Sequence, residues 1–204
     1  MGSSFVEPVL ALLAYLAKIQ DLLGVSGDIG EIGVHHGLFF VGLAHLARTS
    51  DKLWAFDVFE KQVLNVDGSG LGSLNAFLNA CTSNGIKEEY LNIVQGSSTD
   101  LSWVDATFRI FSVDGGHTRE ITFNDLSFAA CHLARGGIIV LDDVTNFQWG
   151  GVIDGFFSWL HYFAVAFAPI FVGFNKVLLV QASYHEVEKW KWKMQVCENY
   201  CNKY

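Results

Sequence analysis

Five short apolar runs in this chain each carry or meet glycines or carboxylates at their C-terminal ends, and segments with helical spacing separate them. The runs are residues 28–34, 53–59, 91–94, 108–113 and 137–141. The helical segments are Phe5–Leu23, stopped by Gly24, then 38–47, 74–83, 118–134 and 149–163. Continuous apolar strands alternating with helices predict a parallel sheet covered on both faces. Residues 170–181 then read as two strands around a tight Gly-Phe-Asn turn. The expected architecture is therefore a doubly wound α/β fold, with a mostly parallel seven-stranded sheet, an antiparallel C-terminal hairpin and helices on both faces. The expected organisation is one domain over 1–204: an N-terminal helix (1–24), a core (25–181) and an amphipathic C-terminal helix (182–204).

Composition narrows the function. At 204 residues, 51% hydrophobic and 17% charged, the chain is long and apolar enough for one folded core, and disorder is excluded. The net charge of −8 repels polyanions, so no nucleic-acid partner is expected. Gly155–Phe174 has no charged side chain and could span a bilayer by length. Pro169 and Gly173 interrupt it, so it reads as a buried helix followed by a buried strand, and no membrane partner is expected. No basic region precedes the apolar stretch from Val9 to Leu16, so no signal peptide is expected. Cys81 and Cys131 fall in apolar helical patterns and read as buried, while Cys197 and Cys201 lack zinc-site companions. A reduced, cytoplasmic chain follows. The aromatic C-terminal stretch with Trp190, Trp192, Tyr200 and Tyr204 is compatible with a homo-oligomer.

In parallel sheets of this kind ligands bind beyond the carboxyl ends of the strands. Strand one ends in Glu31-Ile-Gly33-Val34-His35-His36-Gly37, where glycines let backbone approach a ligand. Strand two ends at Asp57, placed to accept hydrogen bonds from ribose hydroxyls. Strand three ends in Gln95-Gly96-Ser97-Ser98, strand four in Asp114-Gly115-Gly116-His117, and strand five in Asp142-Asp143. Three carboxylates at two neighbouring strand ends repel one another unless a cation neutralises them. Oxygen ligands suit Mg²⁺ or Mn²⁺. An N-cap role for Asp142 or Asp143 accounts for one of the three more readily than for all. His117, three residues after Asp114, is placed as a base, whereas His45, His132, His161 and His185 read as surface or satisfied core residues.

Taken together, these residues resemble a class I S-adenosylmethionine-dependent methyltransferase with a Rossmann-like fold. They are most similar to the small-molecule and sugar O-methyltransferases with a DGxH segment and a later Asp-Asp pair. The resemblance covers roughly residues 25–181. It implies that Glu31, Gly33, Val34 and Gly37 surround the methionine part of the cofactor and that Asp57, with Val58, holds the ribose. It places Gly96, Ser97 and Ser98 towards the adenine, with Asp114 also bordering the cofactor. Asp125, Gly136-Gly137, the Asn65–Gly70 insertion and the Gly173–Lys176 turn extend the match. Two departures stand out. Gly116 and His117 occupy the stretch where related sugar enzymes carry a second acidic residue. No lysine lies between Lys87 and Lys176, which disfavours a catechol-type mechanism with its usual lysine base.

The expected chemistry is metal-assisted O-methylation of a hydroxyl-bearing small molecule or sugar. Asp114, Asp142 and Asp143 would hold Mg²⁺ or Mn²⁺, His117 would take the proton, and the Gly-rich insertion at 60–72 would form a lid. Two rivals are a cofactor-binding protein of the same fold without methyltransferase activity and a metal-dependent hydrolase. The hydrolase leaves Glu31 and Asp57 without a role.

Overall fold

A computed structural model of the chain describes residues 6–101, 103–163 and 166–183. Its strands are β1 (Asp28–Ile32), β2 (Leu53–Asp57), β3 (Leu91–Gln95), β4 (Phe108–Val113), β5 (Leu133–Leu141), β6 (Phe167–Gly173) and β7 (Lys176–Gln181). They form one sheet in the order β3-β2-β1-β4-β5-β7-β6. The first five run parallel, and β7 pairs antiparallel with both β5 and β6. This is the expected doubly wound, Rossmann-like α/β architecture.

Alternate residues of the central strands face opposite layers, as the period-two geometry of a strand requires. Ile138 and Val140 of β5 pack with α1 (Val6–Leu22), α2 (Leu38–Ala44) and α3 (Leu74–Ser83). Ile139 and Leu141 pack instead with α4 (Arg119–Cys131) and α5 (Gly150–Phe163). The sheet is therefore buried between two helical layers, which is why its strands read as continuous apolar runs. Strand order reverses between β1 and β4, and the cleft at their carboxyl ends is where this topology places ligands.

Several expectations need correction. β5 starts at Leu133, four residues before the expected Gly137, and shortens α4 accordingly. A register irregularity lets the extra residues in, with Gly136 at a φ of 83°. The helix and strand of 155–174 are not fully buried. α5 exposes Phe157 and Tyr162, and β6 is a sheet edge that exposes Val172 and accommodates Pro169. Cys81 is buried as expected, but Cys131, at the end of α4, is exposed. Among the described residues no helix is long and apolar enough to cross a membrane. The expected C-terminal helix beyond residue 183, with His185, Cys197 and Cys201, lies outside the described residues.

Candidate active site

A cavity of about 1020 Å³ opens at the carboxyl ends of the parallel strands. Glu31, Gly33, Val34, Asp57, Val58, Gly96, Ser97, Ser98, Asp114, His117, Asp142 and Asp143 all line it. Gly37, expected beside them, does not. It caps the N-terminus of α2 and abuts the Phe77 ring.

The half of the cavity beneath β1, β2 and β3 is shaped by backbone. Gly33 adopts a φ of 86°, and a Cβ there would lie 1.8 Å from the Asp114 carbonyl oxygen, so the β1 turn can cross the β4 turn only as glycine. Asp57 is fixed by main-chain donors: His35 N–H reaches Oδ2 at 2.7 Å and Phe59 N–H reaches Oδ1 at 2.6 Å. Each oxygen keeps a lone pair for a further donor. Glu31 is 1% exposed, and neither carboxylate oxygen has a hydrogen-bond partner. Burial outweighs the pull of the nearby Ser112 hydroxyl, which is not in bonding geometry, and of the Lys176 ammonium, and pushes its pKa up to about 8. An unpartnered buried carboxylate lining a cavity calls for a cationic ligand group.

The other half is a side-chain network drawn from four distant segments. Ligand atoms of Asp114, His117 and Asp143 lie within 4.8 Å of one another. His117 Nε2 contacts Asp143 Oδ2 at 3.1 Å, and Nδ1 contacts Asp67 Oδ2 at 2.9 Å. The same Asp67 oxygen accepts the His117 backbone N–H. The Trp149 indole stacks on the imidazole at 4.2 Å. Asp143 sits at a φ of 59°, an uncommon conformation for a non-glycine residue, held by hydrogen bonds from Asn146 (3.0 Å) and Asn175 (2.6 Å) to Oδ1.

Asp142 departs from expectation. Its carboxylate forms an ion pair with Lys176 and also accepts the Asp143 backbone N–H, and it is not part of the convergent group. His117 takes the third place that the sequence reading had given to Asp142. Lys176, almost fully buried with its ammonium 4.6 Å from the Phe39 ring centroid, was not foreseen as a site residue. Nor was Asp67. The sequence signal for both was their place in the Gly173–Lys176 turn and the Asn65–Gly70 insertion, which extend the family resemblance without assigning either side chain a role.

The charges are unevenly tuned. Burial, then the neighbouring Asp142, raises the Asp114 pKa well above the usual carboxylate range. Burial also works to raise Asp143, but hydrogen bonds from His117, Asn146 and Asn175 overcome it and leave the pKa lowered. Asp67 is likewise opposed by burial, yet its bonds from Ser69 and His117 bring it down to about 2. Burial disfavours a charged His117, but Asp143 and Asp67 outweigh it and raise its pKa.

Residues 31–144 match the family model described as "Methyltransferase domain", and the chain belongs to that family as a class I S-adenosylmethionine-dependent methyltransferase. No curated protein sequence matches the chain significantly. Solved structures share its fold. The O-methyltransferase NovP is 21% identical over 84% of this chain and 78% of its own, with a TM-score of 0.68. CalS11, a TDP-rhamnose 3'-O-methyltransferase of calicheamicin biosynthesis, is 19% identical over 83% and 78%, with a TM-score of 0.60. The SAH-bound Podospora anserina methyltransferase PaMTH1 is 14% identical over 82% and 76%, with a TM-score of 0.58.

Proposed function

We propose that this methyltransferase acts on a hydroxyl oxygen of a small, uncharged acceptor with an apolar body, assisted by a divalent cation. The reading rests on one observation above all: Asp114, His117 and Asp143 converge in the same cavity as the unpartnered Glu31. The residues fit the cofactor. Glu31 would receive the ammonium of its methionine portion, Asp57 its ribose hydroxyls, and Gly96, Ser97 and Ser98 the adenine side. They also fit a divalent cation, because ligand atoms of two carboxylates and an imidazole lie within 4.8 Å of one another. Such a cation lowers the pKa of a coordinated hydroxyl and orients it.

The reaction breaks the sulfur–methyl bond, forms an oxygen–methyl bond and releases the hydroxyl proton. The chain's task is alignment of acceptor oxygen, methyl carbon and sulfur, which is worth about 7–11 kcal/mol in well-oriented reactions. The turn carrying Asp114 borders both halves of the cavity, so it ties the acceptor position to the cofactor position. His117 accepts a proton at Nε2 only if the Asp143 contact is given up, because its other ring nitrogen is held by Asp67. That counts against the base role expected for it.

The cavity mouth supports the acceptor class. Leu38, Val66, Phe147 and Phe174 line it while remaining exposed. Among the described residues the only Lys or Arg in the lining is Lys176, already paired with Asp142. Among the described residues a nucleotide-linked sugar, the acceptor named for CalS11, finds no free lysine or arginine there. Calorimetric titration of S-adenosylhomocysteine, followed by turnover of an uncharged vicinal diol such as 4-tert-butylcatechol with Mn²⁺ or EDTA, tests the proposal. Micromolar binding and EDTA-sensitive ether formation support it. EDTA-insensitive turnover, or preference for an anionic acceptor, overturns it.

A further inference from the structure

Resting on that reading, we propose that His117 is a nitrogen ligand of a metal centre completed by Asp114 and Asp143. Asp67 of the 60–73 loop is its positioning residue, and the centre takes Mn²⁺ or Co²⁺ in preference to Mg²⁺.

Asp67 fixes one proton of the imidazole. Asp67 Oδ2 lies 2.9 Å from His117 Nδ1, and an ionised carboxylate only accepts. Nδ1 is therefore a protonated nitrogen, and a cation seated between Nε2 and Asp143 would take the place of the proton that Nε2 donates to Asp143, leaving the Nε2 lone pair as its ligand. A carboxylate behind an imidazole is the arrangement that orients metal-binding histidines and raises their basicity. Asp67 is itself fixed: Ser69 donates to Oδ1 through its backbone N–H (2.9 Å) and its hydroxyl (2.5 Å). Asn65 closes the same loop onto the Ser69 carbonyl at 2.7 Å. The stacked Trp149 removes the remaining rotational freedom of the ring.

Two further observations point to a cation at this place. The Asp114 side chain lines the cavity and makes no hydrogen bond or ion pair among the described residues, although the carboxyl groups of Asp142, Glu31 and Asp143 bear on it and only the Lys176 ammonium opposes them. Asp142 is paired with Lys176, so Asp114 and Asp143 are the carboxylates of the group without a cationic lysine or arginine partner, and their two charges match one divalent ion. An imidazole in the set disfavours Mg²⁺, which prefers oxygen alone, and suits later first-row ions.

The test is pulsed electron paramagnetic resonance of the full-length protein loaded with Mn²⁺ and S-adenosylhomocysteine. The expected spectrum shows coupling to one imidazole ¹⁴N, which His117→Gln abolishes. Asp67→Asn is expected to weaken Mn²⁺ binding about 10–100-fold. Asp142→Asn is expected to keep the nitrogen coupling. Competition is expected to favour Mn²⁺ over Mg²⁺ at least about tenfold. Bound Mn²⁺ without nitrogen coupling, coupling that survives His117→Gln, or absence of Mn²⁺ binding overturns the proposal. S-adenosylhomocysteine binding, measured on the same samples, confirms that each variant is folded. If that binding is intact while Mn²⁺ fails to bind, the metal centre alone is overturned. If it is absent as well, the cofactor reading falls with it.

Discussion

The two halves of the cavity are completed in opposite ways. The cofactor half is made of turns: Gly33 crosses the Asp114 backbone, main-chain donors fix Asp57, and Glu31 has no hydrogen-bond partner of its own. The acceptor half is made of side chains that satisfy one another: Asp67 with His117, His117 with Asp143, Asp143 with Asn146 and Asn175, and Asp142 with Lys176. The first half leaves a buried carboxyl group for a ligand to complete. The second, Asp114 apart, stores its polar groups in a network of mutual contacts. Buried polar groups cost stability unless paired, so the two halves should respond to mutation differently.

The largest effect on folding is expected in the acceptor half. Lys176→Met removes one partner of a nearly buried ion pair and leaves Asp142 beside Asp114 and Asp143. Breaking such a pair costs about 3–5 kcal/mol. Urea denaturation should show this loss, and the double variant Lys176→Met/Asp142→Asn should recover most of it. A single-variant loss under about 1 kcal/mol would mean that the pair is screened like a surface one, and the contrast between the halves would fail.

In the cofactor half the corresponding change should cost binding rather than folding. Glu31→Gln is expected to weaken S-adenosylhomocysteine by about 2–5 kcal/mol, as for loss of one partner of a buried charge pair. Mn²⁺ affinity should be unchanged. An equal loss of both would show that the halves are one unit.

The same residue predicts a pH dependence. Burial raises the Glu31 pKa from its ordinary 4.5 to about 8. Between those values the folded chain holds a proton that the unfolded chain has lost. Stability from this group therefore falls as pH rises from about 4.5 through 8. Glu31→Gln should remove that slope and leave the ligand-free protein more stable than wild type at pH 8.5, as read by thermal unfolding. Near pH 7, binding of S-adenosylhomocysteine should release close to one proton. Calorimetry in buffers of different ionisation enthalpy measures it, and zero release would mean that Glu31 does not meet the ligand's ammonium.

The difference between the halves also explains what could be read from the sequence. Strand ends are local features, so Glu31, Gly33, Asp57, Gly96 and Asp114 were visible as residues following apolar runs. The α/β order was visible for the same reason, since strands buried on both faces leave an unbroken apolar signature. Asp67 meets His117 across fifty positions, and Lys176 meets Asp142 across thirty-four. Neither pairing has a periodicity to announce it. The three strand-end carboxylates looked equivalent, and only the hairpin's return past β5 shows that Asp142 is already paired. Cys131 sat in an apolar pattern yet lies exposed, because α4 ends there and β5 begins two residues later.

The smallest effect is expected at the rim of the acceptor half. Phe147 is 93% exposed, so it contributes little packing to the folded state. Phe147→Ala should change stability by no more than about 0.5 kcal/mol. If the ring instead covers the apolar body of the acceptor, its removal acts on binding common to ground and transition states. KM for 4-tert-butylcatechol should then rise severalfold with kcat unchanged. Catechol, which lacks the alkyl group, should show no such rise. A fall in kcat for both would place Phe147 in alignment rather than in recognition. No change for either would move the acceptor's apolar body to Leu38, Val66 and Phe174, the other exposed apolar residues of the lining.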